Sequence, residues 1–286
     1  MDRNDFMIFK WGKILWPLAA FSIFLSGCND LTEKKAKREA TAEEMYLSAD
    51  AKLKDNLNAE AASLFAAVER QYPYSEWAKK SLLMSAIANH NGAFYEESRA
   101  DAERYLDFYP ADVDAAHAQY LIALSYYDQI DNVSRDQSVT FNALQAFRTV
   151  IERYPNSEYT SPSLLKFDLS LDHLAGAEME VGRYYLKRGH FGAAISRFRV
   201  VVEEFETTSH TPEALHRLVE SYLSLGLTAN AQTTGAILGH NFQASDWYKD
   251  TYVLLTGRGI STEAINENSS NWLTKIWRNV TPKKRL

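Results

Sequence analysis

Ala61-Ala62-Ser63-Leu64-Phe65-Ala66-Ala67-Val68-Glu69-Arg70-Gln71-Tyr72-Pro73 sets a frame that the chain repeats. An aromatic-proline step, Tyr72-Pro73, returns as Tyr109-Pro110 and Tyr154-Pro155. Eleven residues before each tyrosine stands a small residue: Ala61, Ser98 and Ala143. Seven before stand Phe65, Ala102 and Phe147. Laid on Phe205, the same frame gives Ala194 and Phe198, with Glu206 in place of the proline. A small residue lets one helix approach another closely, and a large residue four positions on shares its face. Proline then ends the helix, because the residue before it is pushed out of the α region. Each frame is therefore the second helix of a hairpin. Where Glu206 replaces proline, the helix is expected to run on or to end at Thr207-Thr208-Ser209.

Upstream of each second helix lies another amphipathic run: 42–54, 75–90, 113–129 and 163–187. Turn residues separate the pairs at Asn56, Gly92 and Gly189, and a fifth pair, 212–225 and 228–238, turns at Gly226. Pro212 in a first helical turn, with Thr211 as its cap, is a start signal for that pair. Pairs of this length resemble tetratricopeptide repeats, so the expected fold is all-α, a superhelix of about five helical hairpins. No hairpin buries its apolar face alone, and stacking solves this by forming a groove suited to extended peptides or partner proteins. Composition agrees with helix. Among 286 residues 35 are Ala, but only 12 are Gly and 7 are Pro, far too few turn residues for a sandwich or propeller. A net charge of −6 argues against nucleic acid as a partner, and one cysteine excludes a disulfide framework.

That cysteine ends an apolar run, Ile14 to Leu25, which is too short to span a bilayer but suits a signal-peptide core. Leu25-Ser26-Gly27-Cys28 resembles the bacterial lipobox, in which the cysteine sulfur takes a diacylglyceryl group and the chain is cut before it. The resemblance makes Cys28 the lipid attachment site, 1–27 a lipoprotein signal peptide and 28–41 a charged tether. Asn29, where aspartate would retain such a protein in the inner membrane, favours the outer membrane. Asp2 and Asp5 are foreign to a signal n-region, and translation from Met7 would leave Lys10 and Lys13 alone there.

From Tyr154 onward the resemblance narrows. Arg153-Tyr154-Pro155-Asn156-Ser157-Glu158-Tyr159, Leu174-Ala175 with Glu178, the run Glu180 to Gly189, Ala193-Ala194-Ile195 with Arg197, Pro212-Glu213-Ala214-Leu215 and Leu225-Gly226-Leu227 are similar to the BamD family, as is Arg70-Gln71-Tyr72-Pro73-Tyr74. These are lipoprotein subunits of the bacterial β-barrel assembly machinery. The family implies a lipid-anchored scaffold on the periplasmic face of the outer membrane, without catalysis or cofactor. Its partners would be a BamA-like barrel protein bound through the C-terminal repeats, other lipoproteins of the complex, and unfolded outer-membrane proteins received by the N-terminal repeats. The division would then be N-terminal repeats over 42–155, C-terminal repeats over 156–240 and an extension over 241–286. A repeat lipoprotein serving cell-wall synthesis or division shares the lipobox and repeats but lacks the Tyr184-Tyr185 and Arg188-Gly189 segment.

Candidate partner-binding residues follow. Ala116, Tyr120, Ala123 and Tyr127 lie on one helical face, open to two readings, groove lining or inter-helix core. Asp131, Arg135 and Asp136 belong to an insertion in the third repeat that resembles the family's acidic-Arg loop; a solvated turn is the other reading. Tyr184, Tyr185 and Arg188 match the family motif, whereas spacing alone makes Tyr184 core and Arg188 a cation at a helix C-terminus. In the tail, Trp272, Ile276 and Trp277 stripe a basic amphipathic segment suited to an anionic leaflet, a partner's groove or a fold back on repeat five. The seven histidines form no HExxH pattern, and no Gly-rich phosphate loop or nucleophile elbow occurs, so neither metal site nor active site is expected.

Overall fold

A computed structural model describes residues 39–261. Among these residues there are eleven helices and no strand. Five hairpins run in order: α1 (Ala42–Lys54) with α2 (Asn58–Gln71), α3 (Glu76–Asn91) with α4 (Tyr95–Phe108), α5 (Ala115–Tyr127) with α6 (Ser138–Arg153), α7 (Thr160–Lys187) with α8 (Phe191–Glu204), and α9 (Thr211–Ser224) with α10 (Thr228–Asn241). An eleventh helix, α11 (Asp246–Thr256), packs on α9 and α10. Each helix packs on the next in sequence, and α1, α3, α5 and α7 also touch one another in succession, as α9 touches α11. The odd-numbered helices therefore form one layer of the stack and the even-numbered ones the other, the arrangement of tetratricopeptide repeats.

The frame explains the packing. Ala61, Ser98, Ala143 and Ala194 are fully buried, as are Phe65, Ala102, Phe147 and Phe198 four residues on. Ser98 satisfies its hydroxyl by donating to the Ala86 carbonyl of the preceding helix, at 2.9 Å. At α7–α8 the small partner is on the other side. A Cβ on Gly182 would stand 2.4 Å from the Phe198 ring, so glycine alone admits that contact.

The even helices end by one device. The aromatic at the frame's last position leaves the helical region, at φ near −130° and ψ of 35–55°, and its carbonyl accepts an N–H three residues on: Ser75 to Tyr72, Asp112 to Tyr109, Ser157 to Tyr154, Thr208 to Phe205 and Ser245 to Phe242. Proline is not required. The expectation that α8 runs on to Thr207-Thr208-Ser209 is corrected: it stops at Glu204, with Phe205 as C-cap, because the Thr208 and Thr211 hydroxyls both donate to the Phe205 carbonyl, at 2.8 and 3.1 Å. Thr211 is accordingly the first residue of α9 and not its cap, a position held by His210.

Except for α5, the odd helices end in a left-handed residue. Asn56, Gly189 and Gly226 take it as expected, at φ 58°, 75° and 74°. In the second repeat it is Ala93, at φ 60°, and not Gly92, whose φ is −84°. Gly92 is needed for space, since a Cβ there would lie 2.8 Å from the Phe94 ring.

Three clusters make up the core: one around Phe65, one around Tyr105 and Phe147, and one around Met179, Phe198 and Leu218. Helix α7, 28 residues and about 42 Å long, joins two of them. Its Phe167 packs against the second cluster, while Ala175 and Met179 belong to the third.

Candidate functional site

Tyr120 and Tyr127 lie on the layer of odd helices, and both are half-buried against the second cluster. Their rings straddle Phe147, with centroids 6.1 and 5.8 Å from it. Tyr120 also tilts against Tyr159 at the start of α7, at 5.2 Å, and Tyr159 stacks on His117 at 4.7 Å. Lys166 of α7 sits 4.4 Å over the Tyr127 ring. Burial raises the pKa of the Tyr120 hydroxyl and lowers that of His117. The stripe is thus inter-helix packing first. Its outer edge, with His117, Tyr159 and Lys166, adds an aromatic and cationic border that spacing within α5 alone does not reveal.

The insertion of the third repeat folds as a compact turn. Arg135 pairs with Asp131 at 3.1 Å, both well exposed, so the pair contributes little to stability. Asp136 accepts from the Ser138 hydroxyl at 2.5 Å and from its N–H at 3.3 Å, just before α6, which holds the carboxyl below its usual range. All three line an open depression with Gln129, Val139 and Thr140. The loop does not float, because Val133 packs against Gly176 in the middle of α7. The turn before α9 reaches the same region: Ser209 donates to Asp172 by N–H and hydroxyl, at 3.0 and 2.7 Å.

About two turns further along α7 come Tyr184, Tyr185 and Arg188. Tyr185 is the partly buried member, packed on the third cluster. Tyr184 is 50% exposed and carries the Arg188 guanidinium 4.6 Å over its ring. That reverses the assignment from spacing, which put Tyr184 in the core. Arg188 is the C-cap of α7, as its position near the helix end suggested. Beside this stack, Tyr185, His190, Phe191 and Leu225 line a second depression, where Leu225 is 47% exposed. A planar cation stacked on an exposed aromatic, beside an apolar hollow, is a chemistry enriched at protein–protein contacts.

Much of the surrounding motif is consumed internally. Glu178 pairs with Arg197 across α7–α8, and Arg183 pairs with Glu213 across α7–α9, each at 3.1 Å. Glu213 continues to Arg217 at 3.4 Å, Arg217 to Glu220 at 2.8 Å, and the Arg217 guanidinium lies 5.1 Å from the Trp247 ring of α11. Sequence reasoning missed this network. Its signal was the Glu213-to-Arg217 spacing of four residues, one helical turn; the link to Trp247 is tertiary and had none.

Cys28, Asn29, Trp272, Ile276 and Trp277 lie outside the described residues. Among the described residues no helix is long and apolar enough to cross a membrane, and no group of three or more His, Cys, Asp or Glu side chains comes together to hold a metal ion.

Against known proteins, the chain is 50% identical over 201 residues to the outer membrane protein assembly factor BamD of Caulobacter vibrioides, covering 70% of this chain and 66% of that relative. It is 39% identical over 248 residues to BamD of Rickettsia prowazekii, covering 86% of this chain and 98% of that one. BamD of Neisseria meningitidis is 28% identical over 247 residues, 82% of this chain and 92% of its own. These relatives are named for assembly, not for an enzymatic reaction. Residues 38–237 match the family described as outer membrane lipoprotein, YfiO, so this chain belongs to that family.

Proposed function

We propose that the chain is the lipid-anchored, periplasmic scaffold subunit of an outer-membrane β-barrel assembly complex, held at the membrane by an acylated Cys28. It acts as its BamD relatives are named for acting, by assembling outer-membrane proteins without catalysis or cofactor. In this reading the C-terminal repeats, 156–240, bind a BamA-like barrel protein. The N-terminal repeats, 42–155, receive unfolded outer-membrane proteins by their targeting sequences, and other lipoproteins join the complex.

The observation that carries the C-terminal assignment is the Tyr184–Arg188 stack. Its neighbours Glu178, Arg183, Arg197 and Glu213 are paired within the chain, whereas Tyr184 and Arg188 turn outward beside an apolar hollow. Both side chains are exposed, so a partner can reach the stack. On the N-terminal side, the border of His117, Tyr159 and Lys166 beside Tyr120 and Tyr127 offers aromatic and cationic chemistry. That suits an extended segment ending in an aromatic and a carboxylate.

The test is recovery of partners from detergent-solubilised envelopes with the full chain tagged after Leu286. The expected result is a large barrel protein with periplasmic repeats. It should be recovered at least tenfold less well with Tyr184→Ala plus Arg188→Ala, while the thermal transition of the variant stays within a few degrees, as for exposed substitutions. Recovery of cell-wall or division proteins in its place would replace the function and leave the fold.

A further inference from the structure

At each corner between an even helix and the next odd one, the residue before the corner aromatic and those two and four after it are exposed. Most are polar or small. Before the aromatic stand Gln71, Arg153, Glu204 and Asn241, but in the second corner Phe108. Four after it stand Glu76, Glu158, Ser209 and Asp246, but in the second corner Val113. Two after it stand Ala111, Asn156, Thr207 and Ala244, but in the first corner Tyr74. Tyr74 is fully exposed, Phe108 63% and Val113 88%. Single exposed apolar residues are ordinary, whereas three confined to two adjoining corners form a patch. The corners do adjoin: Lys79, in the first turns of α3, donates to Asp112 of the second corner at 2.6 Å and lies 6.0 Å from the Tyr109 ring.

The first corner also holds the start of the folded body. The Tyr72 hydroxyl donates to the Ala40 carbonyl at 2.6 Å, so the chain enters the stack two residues from Tyr74. Ala40 is twelve residues from Cys28, a span that reaches at most about 40 Å. The corners with exposed apolar side chains are thus the two nearest the expected anchor, and the polar corners lie further along the stack.

We infer that Tyr74, Phe108 and Val113 rest on the leaflet that holds the Cys28 acyl chains, an inference that depends on Cys28 being acylated as proposed above. The tether keeps these corners at high effective concentration beside the lipid, so a contact too weak to bind the membrane alone suffices. The residue types fit. Tyrosine favours the membrane–water interface, and the contact strengthens with the apolar area it buries. Charge does not drive it, because Glu76, Asp107 and Asp114 border the patch, all exposed, and Lys79 is paired with Asp112. The contact is therefore apolar insertion, indifferent to salt.

The full chain, purified from membranes in detergent and returned to vesicles of phosphatidylethanolamine and phosphatidylcholine, tests this. With Cys28 acylated, an introduced cysteine is the single reactive thiol. Bimane on Ala111→Cys, between Phe108 and Val113, should lose about half its emission when the vesicles contain phosphatidylcholine with a nitroxide in its acyl chain. Bimane on Ala244→Cys, the same position of the fifth corner, should keep its emission. Tyr74→Ser, Phe108→Ser and Val113→Ser together should restore emission at Ala111→Cys, with the thermal transition within a few degrees of the parent's, as for exposed substitutions. Salt at about 0.5 M should change nothing. A chain that carries the acyl mass and floats with the vesicles, but is quenched equally at both positions or at neither, would overturn the inference and leave the anchor in place. A chain without acyl mass that fails to float would remove the anchor, and the inference with it. Quenching lost in salt would make the contact electrostatic. A label shielded only by added envelope extract, and never quenched by nitroxide lipid, would assign the patch to a protein partner. Either result overturns apolar insertion.

Discussion

Ala93 holds the left-handed conformation that its counterparts give to Asn56, Gly189 and Gly226, and a Cβ in that region costs about 1 kcal/mol or somewhat more. Ala93→Gly should therefore stabilise the protein by about 1 kcal/mol, read as a higher urea midpoint at unchanged slope. Gly182→Ala should do the opposite by about 1–3 kcal/mol, because its Cβ would press into the Phe198 ring within a packed core. An Ala93→Gly midpoint equal to or below that of the parent would show that the turn strain is absorbed elsewhere. The same two positions show where sequence reading stops. Gly92-Ala93 announces a turn, but a glycine kept for space and a glycine kept for φ look alike until the Phe94 ring is placed. Tyr184-Tyr185 poses the same difficulty, since neighbours on a helix point about 100° apart and both match an apolar pattern. Which of them faces out is decided by where α8 and α9 pack.

At the scale of elements, the frame of small residue, apolar residue and aromatic was legible because each of its members meets the same surface in every repeat. Its fifth copy, Ala231, Gly235 and Phe242 with Ser245, is equally regular, and it predicts the turn into α11. It escapes notice because Gly235 stands where the others have Phe or Ala. That glycine is explained only by Leu255, which would lie 2.6 Å from its Cβ. The end of α8 was misread for a related reason, since hydroxyls of Thr208 and Thr211 do what proline does elsewhere. The turn after α4 is held differently, by Asp112, which accepts from Lys79 at 2.6 Å, from the Tyr105 hydroxyl at 2.8 Å and from the Asp114 N–H at 3.1 Å. Chiefly through the Lys79 hydrogen bond, its pKa falls from the ordinary 3.8 to about 2. A depressed carboxylate stabilises the fold above its unfolded pKa, and that contribution is lost as the pH falls from about 4 to about 2. Asp112→Asn should therefore be less stable than the parent at pH 7, by about 1 kcal/mol. The two should converge as the pH falls through that window, as measured by urea midpoints from pH 7 to 2.5. Parallel curves would mean that Asp112 titrates as an ordinary surface carboxylate.

Repeat stacks are stabilised by each hairpin and by its contact with the next, so their cooperativity depends on how strongly neighbours are coupled. Between the second and third clusters the coupling runs through one element. The clusters around Tyr105–Phe147 and around Met179–Leu218 share α7, through Phe167 on one side and Ala175 and Met179 on the other. The third-repeat insertion and the α8–α9 turn reinforce it, through Val133 on Gly176 and Ser209 on Asp172. This gives a physical reason for a helix about twice as long as its neighbours: a continuous backbone carries strain across the junction that two short helices and a loop would relax. The insertion loop, through Val133, and the Tyr184–Arg188 stack thus both rest on the same helix. Leu171→Pro should break the rod, since proline inside a helix costs about 3 kcal/mol or more and removes a hydrogen bond at that turn. The parent should unfold in a single calorimetric transition with equal calorimetric and van't Hoff enthalpies. The variant should unfold in two, the C-terminal cluster separately from the N-terminal ones, with both halves still helical before the first. One transition in the variant, merely shifted to lower temperature, would show that the loop and turn contacts couple the halves without a continuous α7. The rod would then be a spacer for partners and not the source of cooperativity.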